Sequence, residues 1–346
     1  MVDIAFWPET VERWRTEGLP QDSDPNDFFG LDRITIVTFD SSLRMGSRTI
    51  AETEDFCIAV DENGVTVKSW RSRTATPAQL DFTLKTRADW LSLRGRLEVD
   101  DARLSQDARR SYEEGRARGD FITLHPHEPC WWVLRTMGHE NGLMAMHDEP
   151  SWAAEMFEAL TDLAISLCDL AFKQGIEADG VWLFSDLCYK NGMLFSPAAY
   201  RNLVMKQHRR LSDFCHSRGL PFILHCDGYV GELVPLLIEA GFDCLQPLEA
   251  RCGNDVRRLK KQYGNAMAWF GNISVEAMAA GGETLEEEVG SKVLTAKQGG
   301  GYIYHSDHSV PPEVSFENYR RTIELVREHG SYDEGARGRS EGARVG

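Results

Sequence analysis

Two short runs gather residue types that bind metals and move protons: His225, Cys226 and Asp227 in one, and His305, Asp307 and His308 in the other. Each follows an apolar run that reads as a strand, so both groups stand at strand ends. Alternate residues of a strand point the same way, which puts His225 and Asp227 on one face and turns Cys226 elsewhere. Imidazoles from two strands plus a carboxylate make a three-ligand site for a divalent ion, and zinc suits that mixture best. The candidate ligands are therefore His225 and Asp227 with a histidine of the second run, and Glu249 as a fourth ligand or a proton donor. Plainer roles are also open: His225 hydrogen-bonded near the core, His308 capping the turn before Pro311-Pro312, and Glu249 a solvated loop carboxylate.

Other strand ends supply further candidates. Asp186 and Tyr189 are read as catalytic, Asp186 orienting a substrate hydroxyl or a metal-bound histidine, or else capping the following turn. His125, His127 and Glu128 end another strand and are read as a wall of the pocket, and His125, His127, Trp131 and Asn272 are the substrate-binding candidates. Trp131 and Trp132 serve as a ring-stacking platform or as cover over the strand ends.

The elements that position these residues form a regular series. From residue 120 onward, strands are predicted at 121–124, 180–184, 221–224, 244–248, 266–270 and 302–304. Helices fall between them, as where Trp152, Met156, Leu160, Leu163 and Leu167 recur at spacings of three and four, or where Ser196-Pro197 opens a helix. A last helix is predicted at 316–328. Parallel α/β folds gather ligands at the C-terminal ends of their strands, where this chain is polar. No GxGxxG follows any strand, so the predicted fold class is an α/β (β/α)8 TIM barrel, with an open doubly wound sheet as the alternative. Residues 1–119 are read as an N-terminal extension that covers the barrel and brings six strands up to eight, using the run 34–39 and a hairpin around Asp61-Glu62-Asn63-Gly64. The barrel takes 120–329, and the Gly-, Arg- and Glu-rich tail 330–346 is expected to be disordered.

Composition narrows the classes of function. The chain has 346 residues, 42% hydrophobic, with 38 Lys and Arg against 54 Asp and Glu, a net charge of −16. That balance, with no basic patch, argues against a nucleic-acid partner. The apolar runs fall far short of the roughly 20 residues that cross a bilayer, and no leader pattern is visible, so a cytoplasmic protein is expected. The eight cysteines contain no CxxC pair and read as reduced, mostly buried thiols. Oligomeric state is open, a homodimer included.

The runs FILHCDGYVGELVPLLIEAGFDCLQPLE, DLCYKNGMLFSPAAYR and GGGYIYHSDHSVPPEVSFENY resemble the uroporphyrinogen decarboxylase superfamily over about residues 120–328, and its corrinoid-linked methyltransferases more than the decarboxylases themselves. The resemblance implies a (β/α)8 barrel and a zinc site built from a His-x-Cys and a distant Cys. Laid on this chain, the histidine matches His225, the first cysteine falls on Asp227, and the second falls on or beside His308. Replacing thiolate with nitrogen and oxygen ligands leaves a metal more Lewis acidic and better suited to an oxygen leaving group. The function this implies is demethylation of a small methoxy compound, or of a methylamine or methylthio compound, with the methyl group passed to the corrinoid of a separate partner protein, since the chain lacks an Asp-x-His-x-x-Gly element. Uroporphyrinogen-type decarboxylation is the alternative, weakened because Arg44 and Arg48 do not form the family's Arg-x-x-Gly-Arg-Tyr pattern. A non-catalytic binding protein of the same fold is a further alternative.

Overall fold

The structure, a computed structural model, describes residues 1–71, 75–264 and 266–332. The chain divides into two compact units, one comprising Ile34–Cys244 and the other Met1–Arg33 together with the residues from Leu245 on. The sequence boundary at 119/120 falls inside the first of these.

In the larger unit, β1 (Ile34–Thr38), β2 (Phe121–His125), β3 (Gly180–Phe184) and β4 (Phe222–Cys226) lie side by side in that order. All three pairings are parallel, with Ile34 opposite Phe121, Thr123 opposite Gly180 and Phe222 opposite Val181. The strands are apolar along their length because both faces are covered. Ile122, Leu124, Trp182, Leu183, Phe222 and Leu224 are fully buried, and each such side chain contributes about 1.5–3 kcal/mol. The helix predicted around 152–167 extends over Pro150–Lys173 and buries the spaced residues Trp152, Met156, Leu160, Leu163 and Leu167. Ser196 caps the next helical turn by accepting a hydrogen bond from the Ala199 N–H at 3.1 Å.

The hairpin forms as expected, Phe56–Val60 against Val65–Trp70, with Gly64 at φ 74° in its turn. It does not complete the barrel strands. Arg48–Glu52 and Ala78–Phe82 flank it in a separate four-stranded antiparallel sheet.

The smaller unit carries β5 (Cys244–Pro247), β6 (Ala268–Phe270) and β7 (Tyr302–Ile303), neighbours in that order. Its core is aromatic: Trp14 and Phe29 pack on Tyr319 at ring-centroid distances of 4.7 and 4.8 Å, beside Val289, Val293 and Ile323. Beyond β7, Phe6 and Val310 form a parallel bridge, and the Val2 N–H donates to the Tyr304 carbonyl at 3.1 Å. The first six residues thus extend the strand pairing, which their sequence did not announce.

The fold class is the α/β, TIM-barrel-like one expected, with seven parallel strands among the described residues. No helix among these residues is long and apolar enough to cross a membrane. The tail expected to be disordered lies mostly outside the described residues. Its first residues depart from that expectation, since Gly330 ends the helix Phe316–Gly330 and the Tyr332 hydroxyl donates to the Lys297 carbonyl at 2.8 Å.

Candidate functional site

At the C-terminal ends of β3 and β4 the larger unit brings together Asp186, His225 and Asp227, whose potential ligand atoms all lie within 4.8 Å of one another. The strand register explains this. His225 is paired with Phe184, and its carbonyl accepts the Ser185 N–H at 3.0 Å, so the residues after Phe184 and His225 leave the sheet together. His225 Nε2 stands 3.8 Å from Asp186 Oδ1 and 3.7 Å from Asp227 Oδ2. The Asp227 N–H also donates to Asp186 Oδ1 at 3.3 Å. Burial pushes the Asp186 carboxyl pKa up; His225 opposes this, while the neighbouring Asp227 charge adds to it.

Asp186 was expected to be catalytic, and its carboxylate instead stands as the third member of the ligand-type cluster. Cys226 points away, as the alternation predicted: it is fully buried, and burial holds its thiol pKa well above the usual range. All eight cysteines are free.

Gly228 sets the turn that follows. It sits at φ 86°, and a Cβ there would lie 2.7–2.8 Å from the backbone O, C and N of Tyr189. Gly228→Ala therefore strains the chain beside Asp227. The expected result is a loss of about 2 kcal/mol in urea unfolding, within the ~1–3 kcal/mol range for such backbone strain, together with weakened metal binding by elemental analysis.

Rings wall the cluster. Phe184 lies between His125 and His225, with centroid distances of 4.5 and 5.0 Å. His125 Nδ1–H donates to the Trp182 carbonyl at 2.6 Å, which leaves Nε2 as its acceptor in the neutral ring. Burial lowers the His125 pKa. His127 is open to solvent, yet the crowded protein around it and the neighbouring His125 bring its pKa down to about 4. Trp131 is half-buried, with its ring 5.4 Å from that of His139, whereas Trp132 is core and donates its indole N–H to the Ser41 carbonyl at 2.9 Å. Tyr189 is half exposed on the short hairpin Cys188–Tyr189/Gly192–Met193.

Beneath the walls lies a buried network that sequence reasoning missed. Glu128, read as a pocket wall, is fully buried. Its carboxylate accepts the Cys130 and Trp131 N–H groups at 3.0 and 2.6 Å and the Ser185 hydroxyl at 2.8 Å, and it meets His208 Nε2 at 2.8 Å. His208 Nδ1 in turn lies 2.7 Å from the Tyr200 hydroxyl. One carboxylate thus ties the residue before Asp186 to the helix that carries Trp131. Glu128-Pro129 was a legible helix start, a capping carboxylate followed by a first-turn proline; nothing in the sequence marked His208 as its partner.

The remaining expected residues belong to the smaller unit, where they are engaged locally. Glu249 was read as an open ligand or acid; it is buried, paired with the Arg251 guanidinium, and accepts from the Cys252 thiol at 3.1 Å. Asn272, read as substrate-binding, is fully buried at φ 76°. Its amide accepts the Val256 N–H at 2.8 Å and donates to the Leu248 and Asn254 carbonyls, so it braces loops. Asp307 accepts the Ala250 and Val275 N–H groups, both at 2.9 Å. His305 accepts the Ile4 N–H at 3.2 Å. His308 is half-buried, with Nδ1 3.4 Å from the Ser309 carbonyl.

Comparison with known proteins agrees with this architecture. The family model described as Uroporphyrinogen decarboxylase (URO-D) matches residues 133–329. A uroporphyrinogen decarboxylase from Streptomyces coelicolor is 29% identical over 189 residues, 54% of this chain and 50% of the relative. One from Syntrophotalea carbinolica is 26% identical over 182 residues, 52% and 50%. The chain thus spans about half the length of the curated relatives it matches. A solved structure, a methyltransferase from Methanosarcina mazei, shares the fold with a TM-score of 0.58 at 14% identity, covering 96% of this chain and 92% of that one. With the family model matched over more than half its length, this chain belongs to the uroporphyrinogen decarboxylase family.

Proposed function

We propose that this chain is a metal-dependent methyltransferase that demethylates a small methoxy compound, ahead of a methylamine or methylthio compound, and passes the methyl group to the cobalt of a corrinoid carried by a separate protein. The observation that carries this reading is the meeting of Asp186, His225 and Asp227 at two adjacent strand ends. One imidazole and two carboxylates fit a divalent ion that accepts nitrogen and oxygen ligands, zinc first. Asp186, His225 and Asp227 would hold it. Bound there, such an ion supplies Lewis acidity toward an oxygen leaving group.

The chain's own residues do the positioning. Glu128 holds the Ser185 strand end and the Trp131 helix turn in fixed relation, and Phe184 and Trp131 offer ring surface against which a methylated compound can be oriented. In the transfer the carbon–oxygen bond breaks, and the methyl carbon bonds to cobalt(I), which becomes methylcobalt(III). The oxygen leaves with the bond's electron pair and takes up a proton from water. A methyltransferase name on a protein of the same fold supports the reading.

Decarboxylation, favoured by the names of the curated relatives, is the second reading. It needs arginines free to grip a substrate with many carboxylates. Arg44 is instead held by Asp40 and Asp100 at 2.6 and 2.7 Å, and Arg48 lies on the outer strand of the antiparallel sheet. The deciding experiment mixes the purified protein with a reduced corrinoid protein and a panel of methoxy, methylamine and methylthio compounds. The expected result is the absorbance change from cobalt(I) to methylcobalt, with about one metal ion per chain by elemental analysis. No change with any donor, while methylcobalt is consumed by a thiol or folate, would reverse the direction; porphyrinogen turnover without either would select the decarboxylase.

A further inference from the structure

We infer that His125 determines the specificity of this site: its Nε2 accepts a hydrogen bond from a hydroxyl group of the methyl donor. The inference rests on the methyl-transfer reading and narrows it to methyl ethers that also carry a hydroxyl.

His125 is the last residue of β2, and its half-buried ring is held from two sides. Nδ1 lies 2.6 Å from the Trp182 carbonyl, an oxygen that can only accept, so Nδ1 carries the proton and the lone pair of the neutral ring is on Nε2. The ring also packs against Phe184 at a centroid distance of 4.5 Å. These two contacts set the tautomer and the position of the ring before any ligand arrives. Among the described residues nothing else hydrogen-bonds this imidazole, and Nε2 is not one of the buried polar atoms left without a partner, so it opens onto solvent.

Packing joins His125 to the cluster. The strands β2, β3 and β4 are neighbours, and His125, Phe184 and His225 stand at their C-terminal ends. Phe184 packs on His225 at 5.0 Å as it does on His125 at 4.5 Å, so a single phenyl ring separates the two imidazoles. A donor whose methoxy oxygen meets Asp186, His225 and Asp227 therefore reaches His125 across the width of a ring, with Phe184 as the surface between. Three kinds of polar group could stand at that far end. An ether or carboxylate oxygen sets lone pair against lone pair and leaves Nε2 unpaired, which costs binding. An ammonium brings positive charge close to the proposed divalent ion. A hydroxyl supplies the proton without the charge. Sites that hydrogen-bond a substrate hydroxyl reject analogues lacking it far more strongly than apolar pockets tell one methyl group from another.

The test is calorimetric titration of the purified, metal-containing protein with 4-methoxyphenol, methoxybenzene and 1,4-dimethoxybenzene, at a pH well above the ordinary imidazole pKa of about 6.5. Wild type is expected to bind the phenol at least about tenfold more tightly than either ether. His125→Phe keeps a ring against Phe184 and removes the acceptor. It should bring the phenol down to the level of methoxybenzene while leaving metal content and ether binding unchanged, and His125→Gln, with an amide oxygen in reach, should recover part of the preference. Equal binding of phenol and ethers by wild type, or a preference that persists in His125→Phe, would overturn the assignment. So would a preference lost only in His127→Phe, whose ring is 6.0 Å from that of His125. The methyl-transfer assay with the same three compounds separates the two proposals. Equal transfer from all three, with no His125 dependence, sinks this one alone. No transfer from any donor, with the phenol preference still abolished by His125→Phe, sinks the methyl-transfer reading and leaves His125 as the acceptor for a hydroxylated ligand.

Discussion

His225→Ala is expected to reduce bound metal from about one ion per chain to background and to lower the rate of methyl transfer by roughly a thousandfold. His225 is the one imidazole of the proposed metal cluster, and its Nε2 stands 3.8 and 3.7 Å from the two carboxylates. Without it, Asp186 and Asp227 are left facing one another with no imidazole between them, a pair that suits a harder, more weakly held cation. Lewis-acid stabilisation of a leaving oxygen amounts to several kcal/mol, and each 1.36 kcal/mol is about a factor of ten in rate. Asp227→Asn should fall between the variant and wild type, since the amide oxygen remains a weak ligand. Elemental analysis and the cobalt absorbance assay read the two effects, with circular dichroism confirming that the strands persist. Wild-type metal content in His225→Ala would place the metal elsewhere and remove the basis of the proposed chemistry.

Glu128→Ala should produce the largest loss of stability of any single substitution near the site, about 3–5 kcal/mol in a denaturant titration. The glutamate is fully buried, and its removal strips partners from two backbone N–H groups, the Ser185 hydroxyl and His208 at once. Glu128→Gln keeps the shape and an acceptor oxygen, so it should cost less. Burial by itself would raise the Glu128 pKa, but the hydrogen bond and charge of His208, with the Trp131 and Cys130 N–H groups, outweigh it and leave the pKa below its ordinary value. The folded-state pKa is therefore lower than the unfolded one. The stability this provides is fully present above the unfolded value near 4.5 and is lost as the pH falls through the folded value. In an acid titration the wild type should lose stability more steeply below that point than Glu128→Gln. Parallel acid curves for the two would show that Glu128 does not carry the linkage.

What the sequence determined by itself was local or periodic. The apolar runs at 121–124, 180–184 and 221–224 became β2, β3 and β4 within two residues at their ends, because a strand covered on both faces must be apolar throughout. The Ser196-Pro197 helix start, the Asn63-Gly64 turn and the separation of buried Cys226 from His225 and Asp227 followed from capping, turn and alternation rules that act over a few residues. His225 and Asp227 were legible for the same reason, as next-but-one neighbours at one strand end.

Asp186 was legible as a candidate beside a metal-bound histidine, but its place in their cluster was not, because it lies 39 residues before His225 and meets it only through the register that sets Phe184 opposite His225. Likewise, the roles of Glu249 and Asn272 depended on which backbone groups and cations the fold placed around them, and those partners consumed the polarity that made them attractive as site residues. The Glu128–His208 pair joins residues 80 apart in sequence. The pairing of the first residues beyond β7, a bridge at Phe6 and single hydrogen bonds, depended on partners some 300 residues away, as in the Ile4–His305 contact with its separation of 301. Sequence pattern records what each segment prefers. Only the tertiary structure decides which preferences are met by the same neighbours, since buried polar groups and ligand clusters are satisfied by proximity in space, which periodicity along the chain does not encode.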